Sequence, residues 1–360
     1  MDKHNEPPTD SFDEDQGKDN NSHRLNPKFD FKNEFKEHIK EIIKPIDELK
    51  EHESLFEILT ANEVSKIAKL LPEPIQLYPV LILENEMTIV FADTGVGKTV
   101  LCFQMAIYIA NKGYTTLYLD LELSRKQFQR RYTSENGDLF KFPDNLHRAD
   151  FKRLKKIPKN TTYEDFFFSS LIDAIKKTGA KVIFLDNLTK LAAGDTDSAK
   201  AAIPILERLN DLKSTESLTL IVLEHNKKVD TSRPIHLNDL QGSKMKSNLV
   251  DAVFTIGKSS KDKNLRYIKQ VKVRDGEEIY DTENVKVCEL SKSNGYLSFT
   301  DIGYESEFAH LKQQTDKDKE RIIEKVIELH QQGHSLRDIG KEQGISHSTV
   351  SRIIKNCNKL

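Results

Sequence analysis

The stretch Ala92-Asp-Thr-Gly-Val-Gly-Lys-Thr99 constrains this chain more than any other. Before it stands the apolar run Met87-Thr-Ile-Val-Phe91, and after it Val100-Leu-Cys-Phe-Gln-Met-Ala-Ile-Tyr-Ile-Ala110, whose apolar residues recur at helical spacing. A strand that ends in a glycine-rich turn and restarts as a helix gathers backbone N–H groups, and the positive end of the helix, around one point. Such a turn binds phosphate. Asp93, Thr94, Gly95, Val96, Gly97, Lys98, Thr99 and Val100 therefore form the expected nucleotide cradle, with Lys98 reaching the β- and γ-phosphates and the Thr99 hydroxyl holding Mg²⁺. The pattern G-x-x-x-x-G-K-[ST] is broken only at its first position, where Ala92 stands for Gly. Alanine is the smallest residue with a Cβ, so a slightly altered turn is expected and not a lost site.

The rest of the chain supplies the expected frame. Between Val80 and Thr300 apolar runs alternate with helical patterns, which implies an α/β fold with a largely parallel sheet covered on both faces. Candidate strands are Met87–Phe91, Thr115–Asp120, Lys181–Asp186, Leu218–Leu223 and Ala252–Ile256, with helices at 98–111, 124–132, 165–178 and 199–213. Leu265–Val273, Val285–Leu290 and Tyr296–Thr300 follow as an antiparallel set at the sheet edge. The expected organisation is a disordered tail over residues 1–28, a helical segment over 29–79, the ATPase domain over 80–304, a polar linker over 305–317 and a small all-α domain over 318–360.

Composition narrows the function classes. Lys+Arg 55 against Asp+Glu 57 leaves a net charge of -2, so any surface for nucleic acid must be local. Cys102, Cys288 and Cys357 form no C-x-x-C pair and read as reduced thiols, with neither a disulfide frame nor a zinc site. No apolar run approaches membrane-spanning length and the first residues carry no signal-peptide core, so a cytoplasmic protein with no membrane partner is expected.

Three further stretches bear on the chemistry. Val182-Ile-Phe-Leu-Asp186 is an apolar run ending in an acid, and Asp186 is expected to hold the Mg²⁺ shell with Thr99. Asp120 and Glu122 stand at the end of the second strand, where a carboxylate can polarise an attacking water or stabilise the next helix dipole. Asn226-Lys-Lys-Val-Asp230 is one residue too long for the guanine-reading Asn-Lys-x-Asp, and Asp186-Asn-Leu-Thr189 lacks the glycine of Asp-x-x-Gly, so ATP is preferred over GTP. Two lysine-rich clusters, 152–159 and 227–246, read as loops.

Together the loop, Leu121-Glu122-Leu123-Ser124 with Gln127 and Arg131, Phe184-Leu-Asp186 and Leu223-Glu-His-Asn-Lys227 resemble the RecA-like core of the DnaB and RepA groups of hexameric DNA helicases. The resemblance covers about residues 80 to 300 and rests on short motifs. It implies Glu122 as the catalytic base and His225 and Asn226 as the γ-phosphate sensor. Lys272-Val-Arg274-Asp-Gly276 matches the group's Lys-x-Arg-x-Gly element, which implies that Lys272 and Arg274 reach a neighbouring subunit's γ-phosphate, within a ring or filament such as a hexamer. It further implies loops after the fourth strand that touch single-stranded DNA.

The segment from Ser335 to Lys355 resembles the helix-turn-helix of serine recombinases. Three helices are expected, at Lys319–Gln332, Ser335–Gln343 and Ser346–Asn356, with Gly333 and Gly344 ending the first two. Ser346 caps the recognition helix, Val350, Ile353 and Ile354 face the core, and His347, Ser348, Thr349, Ser351, Arg352 and Lys355 point outward to bases and phosphates of duplex DNA. The combined expectation is a DNA-associated ATPase, a helicase-like replication protein of a plasmid or mobile element. The alternatives are a recombination or loading ATPase without helicase activity, and an ATP-controlled DNA-binding regulator.

Overall fold

The computed structural model describes residues 56–150, 158–188, 198–226, 230–313, 316–343 and 345–357. The expected tail over 1–28, the helical stripe before residue 56 and the lysines at 152–156, 227 and 228 lie outside the described residues.

Compactness divides the chain into a unit ending at Pro72 and one running from Glu73 to Leu360. In the first, helix α1 (Ala61–Ala68) opens on a capping box: Thr60 Oγ1 accepts from the Glu63 amide while the Glu63 carboxylate accepts from the Thr60 amide. Thr60 is a β-branched residue that can satisfy an otherwise orphaned helix amide, which is why the helix starts there.

The second unit is built on a nine-stranded sheet. Its strands are β3 (Met87–Ala92), β4 (Thr116–Asp120), β5 (Leu146–Asp150), β6 (Val182–Asp186), β7 (Thr219–His225), β8 (Ala252–Lys258), β9 (Leu265–Val273), β10 (Val285–Ser293) and β11 (Tyr296–Glu305). Their order across the sheet is β11-β10-β9-β8-β3-β7-β6-β4-β5. From β8 to β5 every pairing is parallel, and β9, β10 and β11 add antiparallel strands at one side. A separate two-stranded ribbon, β1 (Gln76–Tyr78) and β2 (Ile82–Leu83), precedes β3 where the helical segment was expected to end.

Because successive strand residues point to opposite faces, each central strand feeds two cores. Helix α2 (Lys98–Asn111) covers one face, packing Leu101, Met105 and Ile109 against Val90, Tyr118, Phe184 and Leu223. Helices α4 (Tyr163–Thr178) and α5 (Ser198–Glu216) cover the other, where Phe168, Leu171 and Leu206 meet Ile89, Leu117, Ile183 and Val222. Burial of both faces explains why these strands read as largely apolar runs. A short helix, α3 (Arg125–Arg131), follows β4 behind its own capping box of Ser124 and Gln127.

Strand β5 was not expected. Leu146-His-Arg-Ala-Asp150 lies on the sheet edge, is only half-buried and has no apolar run, so hydrophobic pattern alone misses it. The expected linker also differs: Glu307–His310 forms a 3₁₀ turn whose Glu307 and His310 are both buried. Glu307 Oε2 lies 2.6 Å from Lys269 Nζ and its Oε1 accepts from the Ile235 amide, which ties this segment to the sheet.

Helix α6 (Ser243–Asn248) precedes β8. The C-terminal helices are α7 (Asp316–Gln331), α8 (Leu336–Gln343) and α9 (His347–Cys357), with a small core of Val326, Leu329, Ile339, Val350 and Ile354. A Cβ on Gly340 would stand 2.8 Å from the Ile345 carbonyl, so the close turn between α8 and α9 requires glycine there.

Candidate functional site

The crossover from β3 to β4 leaves room for two strands between them, and β7 and β6 fill it. This order places the carboxyl ends of β3, β7, β6 and β4 side by side, and each contributes a polar residue. The loop after β3 turns through Gly95 and Gly97, with φ of 77° and 114°, and Gly97 is the N-cap of α2. A Cβ on Gly97 would stand 2.8 Å from the Phe299 ring, so left-handed backbone and close packing both demand glycine.

Lys98 is buried and its Nζ donates to the carbonyls of Ala92, at 2.6 Å, and Asp93, at 3.4 Å. Burial lowers its pKa, while the charges of Asp186 and Glu122 work in the opposite direction. Asp186 ends β6 and is 1% exposed. Burial pushes its carboxyl up to about 6 even though the Thr99 and Tyr118 hydroxyls bond to it. Tyr118 donates to Oδ2 at 2.9 Å. The Asp186–Asn187 peptide is cis.

Asn187 carries the next contacts. Its Nδ2 donates to Glu122 Oε1 and lies 3.1 Å from His225 Nε2. His225 Nε2 is 3.8 Å from Glu122 Oε1, and its Nδ1 is 3.4 Å from Lys98 Nζ. Lys98, Thr99, Glu122, Asp186, Asn187 and His225 thus converge, although they come from four strands. The Glu122 side chain is 33% exposed, so it faces the solvent side of the cluster.

The two acids at the end of β4 separate cleanly. Asp120 Oδ1 accepts from the amides of Glu122 and Leu123, and Oδ2 accepts from Arg148 at 2.8 Å. Both oxygens are therefore spent on holding the turn, which leaves Glu122 as the carboxylate directed at the cluster. Arg148 comes from the unexpected strand β5, and it also donates to the Leu123 carbonyl.

Asp93, Thr94 and Val96 lie in the loop and Val100 in the first turn of α2, and Thr94 donates its amide to Asp93 Oδ1 at 2.8 Å. Asn226, next to His225, forms an isolated antiparallel bridge with Leu240. Lys272 and Arg274 are distant from this chain's own loop. Arg274 is level with Asp251, which pairs through its amide with Met87 at the amino end of β3. The loop leaves the carboxyl end, five residues on, or about 17 Å at 3.3 Å per residue. Lys272 Nζ donates to the Ser247 and Val250 carbonyls, and Arg274 donates to those of Asn248 and Val250. Both thus bond backbone acceptors at the end of α6, and Arg274, whose side chain is 54% exposed, also lies 3.5 Å from Asp251 Oδ1.

One lysine of the 227–246 segment does not face solvent. Lys246 is 2% exposed and its Nζ is 2.5 Å from Glu224 Oε1, itself 1% exposed on β7. This ammonium is inside the protein and offers nothing to a phosphate backbone.

In the C-terminal helices, Ser346 Oγ accepts from the Thr349 amide at 3.1 Å, the expected cap of α9. His347, Ser348, Arg352 and Lys355 are exposed. Thr349 and Ser351 are half-buried, and the Thr349 hydroxyl is engaged with Ser346 at 2.8 Å, so these two contribute less to the outer face than expected.

Parallel strands ending in a phosphate loop, with an acid on the next strand but one and a carboxylate beside it, define a P-loop protein with a RecA-like α/β core and a C-terminal helix-turn-helix. The chain belongs to the AAA domain family, whose profile matches residues 52–231, half of the 360. Residues 316–359 match the homeodomain-like domain. Among solved structures it is similar to a KaiC-like protein from the hyperthermophilic archaeon Pyrococcus horikoshii OT3, at 15% identity over 61% of this chain and 90% of that one, with a TM-score of 0.45. A solved ATPase domain aligns at 16% identity, with 60% of this chain and 85% of that one covered and a TM-score of 0.46. A DnaB-like replicative helicase, described with its interactions with primase, aligns at 15% identity over 74% of each chain with a TM-score of 0.49. A comparison with curated protein sequences gives no match.

Proposed function

We propose that this chain is a DNA-associated ATPase that hydrolyses ATP at the interfaces of a self-assembled ring or filament and reaches duplex DNA through its C-terminal helices. The convergence of Lys98, Thr99, Asp186, Glu122, Asn187 and His225 at one end of the parallel sheet carries this reading.

In this reading the loop amides and Lys98 bind the phosphates and hold them against α2. The donor set of a threonine hydroxyl and a buried carboxylate, bonded to each other, suits a small oxygen-loving cation. Thr99 and Asp186 would hold Mg²⁺, which would neutralise charge on the β- and γ-phosphates. Glu122 takes the proton of the attacking water, and the Asn187 amide fixes which way that carboxylate points. His225 sits between Asn187 and Lys98, where it can report the presence of the γ-phosphate to β7.

Lys272 and Arg274 serve a neighbour's site. Their position at the far end of the strands keeps them from their own loop and favours action across an interface. Arg352 and Lys355, with the exposed first turn of α9, contact DNA. A helicase-like replication role for a plasmid or mobile element is the fullest form of this proposal.

The exposed start of α9 also favours a second reading, an ATP-controlled DNA-binding regulator. ATPase rate measured with and without single-stranded DNA over a range of protein concentrations separates them. Turnover per subunit that rises with both supports the assembled ATPase. Turnover independent of both, together with tight binding to one duplex sequence, supports the regulator.

A further inference from the structure

Arg266, near the start of β9, is 6% exposed. Among the described residues no carboxylate pairs with it, and burial pulls its guanidinium below the ordinary value. Its bonds run to backbone carbonyls: Nε donates to Val96 at 2.9 Å, and Nη1 donates to Lys263 at 2.7 Å and Leu265 at 2.8 Å. A buried cation without an anion is expensive unless something nearby supplies negative charge.

Val96 lies in the middle of the phosphate loop. Its carbonyl belongs to the same peptide unit as the Gly97 amide, and in a planar trans peptide the C=O and N–H point in opposite directions. Drawing the Val96 carbonyl outward toward β9 therefore turns the Gly97 N–H inward, to the concave side of the loop. The same sheet edge presses from behind, because Phe299 packs against Gly97, and Gln104 of α2 bonds both the amide and the carbonyl of Phe299 at 2.8 and 2.9 Å.

From these contacts we infer that Arg266 is a positioning residue for phosphate binding: through the Val96 carbonyl it aims the Gly97 amide at the nucleotide phosphates and sets an unneutralised positive charge behind them. The inference rests on the reading of residues 92–99 as a nucleotide cradle. It adds a determinant 170 residues downstream of Val96 that no loop pattern contains.

The test uses the full chain with Arg266→Lys, which keeps the charge and loses the planar grip, and Arg266→Gln, which loses both. ATP and ADP dissociation constants, KM and kcat, and the melting temperature without nucleotide are measured for each and for Lys98→Ala. Both Arg266 variants should weaken ATP and ADP by roughly tenfold or more, the scale of one lost charged hydrogen bond. KM should rise by a larger factor than kcat falls, and Gln should be worse than Lys. Should the Gln variant not fold, the Lys variant decides. Nucleotide affinity within twofold of wild type in a folded Lys variant overturns the inference, as does a loss confined to kcat. If Lys98→Ala loses nucleotide while both Arg266 variants keep it, only the role of Arg266 falls. If wild type binds neither nucleotide, the cradle reading falls and this inference with it.

Discussion

His225 Nε2 lies 3.1 Å from Asn187 Nδ2, joining the end of β7 to the residue that follows the acid of β6. An amide nitrogen can only donate, so the ring nitrogen accepts at this contact. Asn187 uses its other proton on Glu122. One amide thereby fixes both a carboxylate and an imidazole, and its loss should be felt at both.

Glu122→Gln should bind ATP and lose about 10²-fold or more of its turnover, because an amide cannot take a proton from water. Asn187→Ala should lose turnover in the same direction but less, with ATP affinity retained. Single-turnover hydrolysis beside equilibrium nucleotide binding checks both. Normal turnover in Glu122→Gln would remove Glu122 as the base.

Arg274→Ala and Lys272→Ala should leave ATP binding by the separated subunit unchanged while the assembled protein loses roughly 10³-fold of its turnover. Mixing either with Glu122→Gln protein should restore part of the activity, since one interface then combines an intact base with an intact cation. The readout is ATPase rate across mixing ratios, with subunit exchange shown independently. Exchange without rescue would place these residues in a purely structural role at the end of α6.

Lys246→Ala should cost about 3–5 kcal/mol of stability, because the buried Glu224 carboxylate loses its cation. Lys246→Met with Glu224→Gln should recover much of that loss. Urea unfolding measures both. A cost below about 1 kcal/mol for the single change would mean that water reaches the pair.

Burial lowers the pKa of His310, whose Nδ1 is 2.9 Å from Ser259 Oγ. Glu305 Oε2 lies 3.0 Å from Nε2 but out of line for a hydrogen bond, and its charge, like that of Glu307, only partly offsets burial; Lys261 acts with burial, and the Tyr267 ring lies against the imidazole. A depressed folded pKa means that the unfolded chain takes up the proton first as pH falls. Stability should therefore be full above the ordinary histidine pKa of about 6.5 and should decline as pH drops through the lower folded value. His310→Gln should flatten that decline, as read from melting temperature against pH. An unchanged slope would show that other groups control it.

Arg352→Ala and Lys355→Ala should separate two kinds of DNA contact. A residue reading a base edge should lose roughly 1–3 kcal/mol on the preferred site only, and one touching phosphate should weaken every sequence and reduce the salt slope by about one. Binding isotherms at several salt concentrations give both. No effect from either variant would make the C-terminal helices a protein-docking module.

Much of the frame was legible because its signals are local. Met87–Phe91, Val182–Asp186 and Leu218–Leu223 are largely apolar runs, and the strands β3, β6 and β7 fall on them within two residues. Gly97-Lys98-Thr99 and the Ser346 cap are read from neighbours in sequence. Strand β5 was missed for the converse reason, since an edge strand has no buried second face to fill with apolar residues. The burial of Lys246 has no local sign, because its partner Glu224 lies twenty-two residues earlier in a different element.

The sequence by itself determined the phosphate loop, the helices that cap themselves and the alternation that makes a parallel sheet, because each depends on residues within one or two turns of one another. Only the tertiary structure decided that Asp120 holds a turn while Glu122 faces the site, that Asn187 joins Glu122 to His225, and that Arg266 grips the loop. These outcomes depend on strand order, which sets residues from distant parts of the chain side by side. Strand order follows from how the whole core packs, so no short stretch of sequence contains it.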